Sequence, residues 1–552
     1  MADINLALST PEQASGWGVA SRYIVQELAK RTHVSDLRVQ KNLIGMNGVV
    51  DGKVFHTIEN VDLEPAMRVK GRYNAGYCFF ELCLTPRSIL NAHSFYDHIF
   101  CGSTYNSEVL AEMDIHHTST LIQGVDMDLF RPITKSKDPM FRDKFVIFSG
   151  GKFEYRKGQD LVLAAFRKLQ HKYKDLCLIT LWQNLWDFSF QTMHLSKHID
   201  ATLTGESWVD AITGLCARNR IYPNRVWHYP LLDQKQVYGL IRNSDIGIFP
   251  NRCEGGTNLA LMEYMACGKP AIASYNTGHI DILTKDNALL LTDQPVERME
   301  PHAGWYADWH EPSLDELISK IEWAYENRDS LQIMGSRGSR SMMQFPWSKT
   351  ASDIQHVMQN QKTEHPLYMA HRGAWGRMIS KLGLFGEGAE VGVYRGVFST
   401  IILANWEGER LHLIDRWDFD DNYKDHLNAP SKTQYSIYRG VVNSFSHIPK
   451  VNIIRSPSVE AARGFSDGQL DWVYIDADHS YEQCKADIKA WAPKVRIGGV
   501  VGGHDYWDGT DEYGVFGVKS AVDEHIQING HTLILTDDSK NKLRSWCFVK
   551  DH

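Results

Sequence analysis

Residues 249–270, which read FPNRCEGGTNLALMEYMACGKP, constrain the fold of this chain more than any other segment. The apolar run DIGIFP leads into the segment, a Gly-Lys-Pro stop ends it, and a second apolar run, AIAS, follows. This pattern predicts a strand, a turn, a helix and a strand, in that order. Such a unit places its turn at the carboxyl edge of a parallel sheet, where open α/β sheets bind ligands. We therefore expect an α/β fold with a ligand site at this turn.

Two acids flank the turn and the helix of this segment. Glu254 precedes the helix, Glu263 lies in its C-terminal part, and Asn258 lies in the turn between them. The backbone N–H groups of the turn suit an anion. The two carboxylates can then hold the hydroxyls of a sugar and of a ribose, while the turn holds the phosphates between them. The alternative is an ordinary βαβ unit whose acids are incidental.

Two upstream segments carry glycines and cations in a matching order. In PEQASGWGVASRYIVQELAKR, Gly16 and Gly18 precede an amphipathic helix, where glycine lets the backbone approach a diphosphate. In FVIFSGGKFEYRKGQDLVLAAF, an apolar strand is followed by Lys152, Arg156 and Lys157. Cations at a strand end would neutralise the charge of a departing nucleoside diphosphate. A solvated basic loop is the alternative for this second segment.

Together these motifs resemble those of the retaining GT-B glycosyltransferases, the family that includes sucrose synthases and bacterial mannosyltransferases. The resemblance implies a UDP- or GDP-linked sugar donor whose ribose contacts Glu263 and whose sugar contacts Glu254, a catalytic residue. It also implies that Lys152 and Lys157 stabilise the diphosphate, with Lys157 catalytic. Two features depart from the family: eight residues rather than seven separate the glutamates, and Lys152 stands where arginine is usual, which removes a bidentate fork.

The resemblance also implies where the acceptor binds. The acceptor face would lie in the first domain around residues 77–86, YCFFELCLTP. Glu81 in that segment is either an acceptor contact or a buried, satisfied acid. Downstream, FPWSKTASDI at 345–354 resembles the family's terminal helix, which crosses back to the first domain.

A second series of strands and helices follows residue 372 and has its own glycine loop. In GAEVGVYRGVFSTIILANW, a short strand contains Glu390 and ends near Gly392, and Gly396 opens a helix. The next strand, RLHLIDRW, ends on Asp415. A glycine turn with an acid at the end of the second strand suits a cofactor that contains a ribose. This pattern alone allows NAD.

The downstream segment LDWVYIDADHSYEQCKADIKAWAPKVRIGGVVGGHDYW narrows the choice of cofactor. With the glycine loop, it resembles class I methyltransferases that use S-adenosylmethionine, over about 373–535. The resemblance implies that Glu390, Gly392 and Gly396 line the methionine and ribose of the cofactor. It further implies that Asp415 accepts from the ribose hydroxyls, and Trp417 is a candidate to cover the adenine.

Methyl transfer to a hydroxyl needs alignment and a base. The candidate catalytic residues are Asp476 and His504, with His479 and Asp505 as further candidates. Some relatives hold a divalent metal here, and carboxylates of Asp476, Asp478 and Asp505 would suit Mg²⁺, with Asp476 and Asp505 as the predicted ligands. Acids that only cap helices or orient side chains are the alternative.

Length and composition set the wider frame. The chain has 552 residues, too many for one core. We predict two Rossmann-like domains in a GT-B arrangement over 1–140 and 141–357, a linker over 358–372, and a third Rossmann-like methyltransferase domain over 373–552. The formal net charge of −8 disfavours nucleic acid as a partner.

Cysteines and apolar runs bear on the compartment. The 9 cysteines show no CxxC pair, which indicates a reducing, cytoplasmic compartment and argues against structural zinc. No apolar run approaches the roughly 20 residues of a membrane span. The aromatic-rich segment 181–198 belongs either to a core or to a surface that touches a glycan or a membrane peripherally.

The combined prediction is a bifunctional enzyme of polysaccharide biosynthesis. It transfers a sugar with retention to a glycan or lipid-linked glycan acceptor and methylates a hydroxyl, most simply of the same glycan. One rival is a GT-B protein whose inactive transferase half serves as a nucleotide-sugar-binding scaffold for the methyltransferase. The other rival, a GT-B phosphorylase, would need a pyridoxal-phosphate lysine that no segment marks.

Overall fold

The computed structural model describes most of the chain, and within the described residues it forms two compact units. The first unit comprises 1–88, 99–113 and 118–360, and the second comprises 89–98, 114–117 and 361–552. Two short segments from the N-terminal quarter therefore belong to the second unit, whereas every domain in the sequence prediction was continuous. The described residues are 3–8, 16–39, 48–58, 60–184, 186–229, 231–359, 367–420, 427–511, 514–537 and 542–552.

The first unit contains two extended sheets in which the strands run parallel. The strands up to residue 310 are β1 Ile4–Ala7, β2 Val34–Asp36, β3 Gly48–Val49, β4 Lys53–Thr57, β5 Val69–Lys70, β6 Tyr73–Cys78, β7 His98–Cys101, β8 Thr118–Thr120, β9 Phe145–Gly151, β10 Leu176–Trp182, β11 Val226–His228, β12 Ile246–Phe249, β13 Ala271–Ser274, β14 Leu289–Leu291, β15 Val296–His302 and β16 Trp305–His310. Among the described residues, the strand order is β2-β1-β4-β6-β7-β8 in the first sheet and β11-β10-β9-β12-β13-β14 in the second.

Helices connect these strands. The N-terminal part of α2 belongs to the first unit and the rest of it to the second. The helices are α1 Gly16–Ala29, α2 Pro86–Phe95, α3 Thr104–Glu112, α4 Gln159–Leu169, α5 Asp187–Phe190, α6 Trp208–Arg218, α7 Gln234–Ile241, α8 Leu259–Ala266, α9 Leu314–Glu326, α10 Arg328–Met342 and α11 Trp347–Gln359. In α11, Trp347 stacks on Tyr23 of α1 with ring centroids 5.3 Å apart.

The second sheet is buried on both faces, and β9 shows why. Phe145 and Ile147 pack into one apolar cluster, and Val146 and Phe148 pack into another. Side chains alternate between the faces of a strand, so a strand with a core on each side reads as a continuous apolar run. This explains why FVIFSGG is apolar without alternation.

The second unit repeats the parallel design in one larger sheet. Its described strand order is β19-β18-β17-β20-β21-β25-β24, and β25 pairs antiparallel with both neighbours. The α/β prediction with parallel Rossmann-like sheets is confirmed. The strands are β17 Glu387–Val391, β18 Arg410–Asp415, β19 Val451–Arg455, β20 Leu470–Ile475, β21 Val495–Gly503, β22 Asp508–Asp511, β23 Gly514–Gly517, β24 Ile534–Leu535 and β25 Trp546–Val549. The helices are α12 Trp375–Lys381, α13 Val397–Asn405, α14 Ser431–Phe445, α15 Ser458–Ala462, α16 Tyr481–Trp491 and α17 Val518–Asn529.

Two predicted loops fall partly outside the described residues. Of the predicted linker 358–372, residues 360–366 lie outside them, while α11 extends to Gln359. Residues 9–15, which precede Gly16, also lie outside them. Both Gly16 and Gly18 lie in the first turn of α1 rather than before it. Among the described residues, we find no helix with the length and apolar character to span a bilayer.

Candidate functional site

The candidate sugar-transfer site lies where β9 and β12 end. These strands are neighbours, but the chain runs outward from β9 to β10 on one side and from β12 to β13 on the other. A reversal of this kind opens a crevice at the carboxyl ends of the two strands, where α/β sheets bind ligands. The segment with Lys152 and Lys157 follows β9, and Glu254 follows β12. The topology therefore brings together the groups that the sequence placed at one edge.

Glu254 is a buried carboxylate held by cations. Its Oε1 lies 2.5 Å from Nζ of Lys157, and its Oε2 lies 3.2 Å from Nη1 of Arg156. Asn251 donates to the same carboxylate, and the hydroxyl of Thr277 accepts from the backbone N–H of Glu254 at 2.8 Å. Burial alone would raise the pKa of Glu254, but Lys157 and Arg156 outweigh burial and lower this pKa to about 2. Glu254 is thus ionised at neutral pH.

Arg156 is the centre of this charge cluster. Its guanidinium lies 2.5 Å from a carboxylate oxygen of Glu154 and 3.2 Å from one of Glu81, in addition to its contact with Glu254. It also donates to the carbonyl of Cys253 at 2.9 Å. The sequence left the role of Glu81 open and named Arg156 only as one of three cations after β9. In the structure, Arg156 contacts both Glu81 and the predicted catalytic acid Glu254.

The two predicted lysines differ in their surroundings. Lys157 is largely buried, and burial lowers its pKa even beside Glu254. The side chain of Lys152 is 43% exposed, lies 4.0 Å from Glu154 and sits over the ring of Trp186 at 5.2 Å. Gly158 makes the turn after Lys157, with φ of 71°, and a Cβ there would lie 2.1 Å from the carbonyl oxygen of Pro250. Glycine at 158 therefore permits the close approach of the β9 and β12 loops.

The turn between the two glutamates leads into α8 at Asn258. Asn258 caps α8 with φ of 62°, and its side chain accepts from the backbone N–H of Leu261 at 3.4 Å. Asparagine tolerates this left-handed conformation better than most residues. The amide of Asn258 also lies 3.2 Å from Nε2 of His279, whose other ring nitrogen contacts the carbonyl of Ser274 at 2.9 Å.

Glu263 lies on α8, and its side chain is buried. Gln234 donates to Oε1 of Glu263 at 2.8 Å. Burial raises the pKa of Glu263 to about 8, since this one amide bond offsets only part of the desolvation. The pKa values of the two glutamates of the motif are therefore shifted in opposite directions: that of Glu254 is lowered and that of Glu263 is raised. Gln234 also contacts Tyr23 and Arg22 of α1, which links this acid to the part of the chain that carries Gly16 and Gly18.

The candidate methyl-transfer site follows the same topological rule in the second unit. β17 lies between β18 and β20, and the chain reverses its direction of progress across the sheet there. Gly392 follows β17 with φ of 92°, and a Cβ there would lie 1.9 Å from the carbonyl oxygen of Asp476. Gly396 caps α13 with φ of 77°. Both positions require glycine, as the sequence pattern predicts for this loop.

Glu390 lies in β17 and is almost fully buried. Burial raises its pKa to about 8, and neither of its carboxylate oxygens has a hydrogen-bond partner among the described residues. In the register of the sheet, Glu390 lies opposite Leu413 on one side and Tyr474 on the other. A carboxyl in such surroundings is protonated near neutral pH unless a ligand supplies a positive charge or donors.

Asp415 ends β18 as predicted, but it already accepts bonds from the chain. Its Oδ2 accepts from the backbone N–H groups of Val393 at 2.9 Å and Tyr394 at 2.8 Å. Its Oδ1 accepts from Trp417 N–H at 2.9 Å. The carboxylate of Asp415 thus holds the glycine loop in place. Trp417 is fully buried in a core cluster, which is at odds with the idea that its ring covers an adenine.

The acids and histidines after β20 and β21 meet in one cluster. Nε2 of His479 lies 2.9 Å from Oδ2 of Asp505, and Nδ1 of His504 lies 2.8 Å from Oδ1 of the same residue. Asp476 Oδ2 lies 2.5 Å from the guanidinium of Arg372, and Asp476 Oδ1 lies 3.9 Å from His479. Arg372 carried no sequence signal, because it lies about 100 residues from its partner.

The donor set of this cluster could hold a divalent cation. Arg372 outweighs burial and lowers the pKa of Asp476, and Asp505 outweighs burial and raises the pKa of His504. Asp476, His479 and Asp505 each offer one ligand atom, and these three atoms lie within 4.8 Å of one another. The guanidinium of Arg372 contacts Oδ2 of Asp476, and the other carboxylate oxygen, Oδ1, is the one that lies near His479. Asp478, the third predicted carboxylate, instead accepts from the N–H of Ser480 at 2.8 Å.

Comparison with known proteins identifies both regions. The family model described as Glycosyl transferases group 1 matches residues 190–300, and the model described as Methyltransferase domain matches 389–506. No curated protein matches the chain significantly.

Among solved structures, sucrose-phosphate synthase from Thermosynechococcus elongatus is 14% identical, with 64% of this chain and 98% of the synthase covered and a TM-score of 0.44. HepE from Anabaena in complex with UDP-glucose is 13% identical, with 65% of this chain and 100% of HepE covered and a TM-score of 0.46.

The chain thus combines a glycosyltransferase domain of group 1 with a methyltransferase domain, and it is a glycosyltransferase and a methyltransferase. The fusion predicted from the motifs is confirmed.

Proposed function

We propose that the first unit transfers a sugar, with retention, from a UDP- or GDP-linked donor to a glycan acceptor, and that the second methylates a hydroxyl of that glycan. The observation that carries the first part is the ionised Glu254 held by Lys157 and Arg156 at the ends of β9 and β12. A scaffold without activity has no need for a buried carboxylate paired with two cations, which is costly to desolvate.

The roles within the transfer site follow from the electrostatics. Lys157 and Lys152 would stabilise the nucleoside diphosphate as it departs, since its charge grows in the transition state. Glu263 would accept from the ribose, and Glu254 would contact the donor sugar. The acceptor hydroxyl bonds to the anomeric carbon on the face that the diphosphate leaves, and its proton passes to the departing phosphate. Retention rests on the resemblance of the motifs.

The methyl-transfer site would act by alignment and proton removal. S-adenosylmethionine supplies the methyl group, and Glu390, Gly392, Gly396 and Asp415 would position it. The acceptor oxygen bonds to the methyl carbon, the sulfur–methyl bond breaks, and the hydroxyl proton passes to a base. His504 and His479 both contact Asp505, and a carboxylate that orients an imidazole is the usual support for such a base. Asp476 and Asp505 would hold Mg²⁺, which would lower the pKa of a bound hydroxyl.

We place the enzyme in the cytoplasm, with peripheral membrane contact if the acceptor is lipid-linked. A shared substrate is the simplest reason for two transferases in one chain.

The test uses the purified full chain. Candidate UDP- and GDP-sugars are first screened by calorimetry. The bound donor is then incubated with glycan from cells that lack the protein, and the product is read by mass spectrometry and by NMR of the new anomeric proton. A product with inverted configuration would refute retention. Donor that binds but is neither transferred nor hydrolysed would favour the scaffold. Incubation with labelled S-adenosylmethionine, with and without the sugar donor, shows whether methylation depends on the transferred sugar.

A further inference from the structure

Three buried histidines meet in the second unit, apart from the residues assigned to methyl transfer. His93 lies on α2, His117 ends the segment 114–117, and His371 immediately precedes a 3-10 turn, and all three belong to this unit. One nitrogen from each lies within 4.8 Å of the nitrogens from the other two. Their exposed fractions are 6%, 4% and 2%, respectively.

Hydrogen bonds fix the tautomers of two of these rings. Nε2 of His117 lies 3.2 Å from the carbonyl oxygen of Ala92, and Nε2 of His371 lies 2.8 Å from that of Tyr96. A carbonyl oxygen only accepts, so both Nε2 atoms carry hydrogen. In a neutral ring, Nδ1 is then the atom with the lone pair. Nδ1 of His371 accepts from Gly373 N–H at 3.1 Å, in accord with this tautomer.

The rings are neutral at physiological pH. Burial lowers the pKa of His93 to about 4 and holds the pKa values of His117 and His371 well below the usual histidine value. Neutral imidazoles with free lone pairs are the form in which histidine binds metal.

Two of the Nδ1 atoms have no protein partner. Nδ1 of His93 and Nδ1 of His117 are both buried, and neither makes a hydrogen bond among the described residues. Folded proteins seldom leave a buried polar atom unsatisfied, so such atoms call for an explanation. Two of them beside a third histidine nitrogen point to a ligand that accepts lone pairs.

We propose that His93, His117 and His371 together bind one divalent transition-metal ion, with Zn²⁺ as the best match. Imidazole nitrogen suits Zn²⁺, whereas Mg²⁺ and Ca²⁺ prefer oxygen, and no carboxylate joins this cluster in the part of the chain that the structure describes. Histidines that bind metal through one nitrogen generally donate from the other to a carbonyl or carboxylate, as His117 and His371 do here. Three protein ligands leave a fourth position for water.

Metal binding requires a local rearrangement of the rings. The rings of His117 and His371 are stacked, with centroids 3.5 Å apart and planes 7° apart. A metal lies near the plane of each ring that it binds, so these planes must splay and His371 must release the N–H of Gly373. Ligand nitrogens about 2.0–2.1 Å from a tetrahedral ion are about 3.4 Å apart, which is within reach of the observed cluster.

Gly373 provides the space for this arrangement. A Cβ at this position would lie 2.7 Å from Cβ of His93 and 3.0 Å from Cε1 of His371. The proposed ion would fasten the segments that carry His93 and His117 to the residue next to Arg372, which pairs with Asp476. The ion would thus link these segments to one another within the second unit. Cysteine spacing, from which the sequence argued against structural zinc, cannot reveal a site made of distant histidines.

The first test measures metal in the full chain. The protein is stripped with a chelator, dialysed against Zn²⁺, freed of excess ion and analysed by inductively coupled plasma mass spectrometry. Beyond any ion held by Asp476 and Asp505, we expect one equivalent in the natural chain and in His447→Ala, an exposed histidine of the same unit, and a loss of at least tenfold in affinity for it in His117→Ala. The double variant Asp476→Asn/Asp505→Asn should keep this equivalent, which separates the site from the acidic cluster. No uptake by the natural chain, or full retention in His117→Ala, would overturn the proposal.

A second variant keeps a ligand in place in case removal of a histidine prevents folding. His117→Cys is loaded with Co²⁺, and its absorption spectrum is compared with that of the natural chain. We expect visible ligand-field bands in both and an additional thiolate-to-cobalt charge-transfer band in the near ultraviolet only in His117→Cys. Bound Co²⁺ without that band would place the ion elsewhere and refute the site. Chelator should also lower the Tm of the natural chain, and restored Zn²⁺ should raise it again.

Discussion

Nζ of Lys157 lies 2.5 Å from Oε1 of Glu254, although the two residues are 97 positions apart in sequence. Both side chains are largely buried, with exposed fractions of 14% and 5%. Removal of one member of a buried ion pair leaves the other charge uncompensated. Variants at this pair therefore affect stability as well as chemistry, and each needs a Tm beside its kinetics.

Lys157→Ala should lower kcat more than it raises KM. The charge on the departing diphosphate grows in the transition state, so a cation that faces it contributes there more than in the ground state. We expect a fall in kcat of about 10²–10³-fold, as for the loss of one preorganised electrostatic contact. Steady-state kinetics with the identified donor measure this. Lys172→Ala, which removes an exposed lysine paired with Glu322, should leave both constants unchanged. A change in KM alone would show that Lys157 only holds the donor.

Arg156→Ala should destabilise the first unit strongly. The sequence assigns a catalytic role to Lys157 and none to Arg156, but the guanidinium of Arg156 contacts the carboxylates of Glu81, Glu154 and Glu254. Without it, three carboxylates share a buried space, and a loss of about 3–5 kcal/mol is expected for a broken buried pair. Thermal unfolding with and without nucleotide measures the loss. Arg298→Ala, at an exposed pair with Asp308, is the matched control and should shift Tm little. An equally small shift for Arg156→Ala would contradict the central role of this residue.

Donor affinity should rise with pH through Glu263. Burial raises the folded pKa of this acid from 4.5 to about 8. Between pH 4.5 and about 8, Glu263 therefore stays protonated in the folded chain but is ionised in the unfolded chain. As pH rises over this range, the buried Glu263 lowers the free energy of unfolding by a growing amount. Ribose hydroxyls donate to the carboxylate and favour its ionised form, so binding releases the proton.

Calorimetry from pH 6 to pH 8.5 in buffers of different ionisation enthalpy measures this proton release. We expect affinity to increase across the range in the natural chain, and to be lower and nearly independent of pH in Glu263→Gln. The loss of a charged hydrogen bond corresponds to roughly 1.5–3 kcal/mol at the high end of the range. Asp315→Asn, which changes an exposed acid of α9, serves as the control and should leave the pH dependence unchanged. Equal pH slopes in the natural chain and Glu263→Gln would remove Glu263 from the ribose site.

The fold class was accessible from sequence because local patterns determine it. A run such as FVIFSGG is continuous because both faces of β9 are buried, and the glycines after β17 are required by positive φ and close backbone approach. The spacing of apolar residues and the positions of glycines are local features of the sequence, so they predict strands and turns without a structure. The same holds for the acids that end strands, such as Asp415.

The parts of the sites that sequence missed depend on long-range contacts. Arg372 has no signal of its own and becomes meaningful only through Asp476, and Arg156 resembles any surface arginine until its three carboxylates are seen. Trp417 looked available for an adenine, but it packs into a core. Partners that are distant along the chain are set by tertiary packing, which periodicity does not encode.

Asp415→Asn should weaken S-adenosylmethionine binding about tenfold or more, the effect of one charged hydrogen-bonding group. The asparagine keeps an oxygen for the N–H groups of Val393 and Tyr394 and loses only the acceptor for the N–H of Trp417. The glycine loop should therefore retain its shape better than in Asp415→Ala, which loses all three bonds. The difference between the two variants separates ribose recognition from loop support: both lose affinity if the carboxylate binds the ribose, whereas only the alanine variant loses it if Asp415 serves the loop alone.

Asp418→Asn, which changes an exposed acid three residues away, should bind S-adenosylmethionine normally. Thermal shift and calorimetry of the full chain against S-adenosylmethionine and NAD measure these affinities, and NAD should not bind. Stabilisation of the natural chain by NAD and not by S-adenosylmethionine would reverse the cofactor assignment of the second unit.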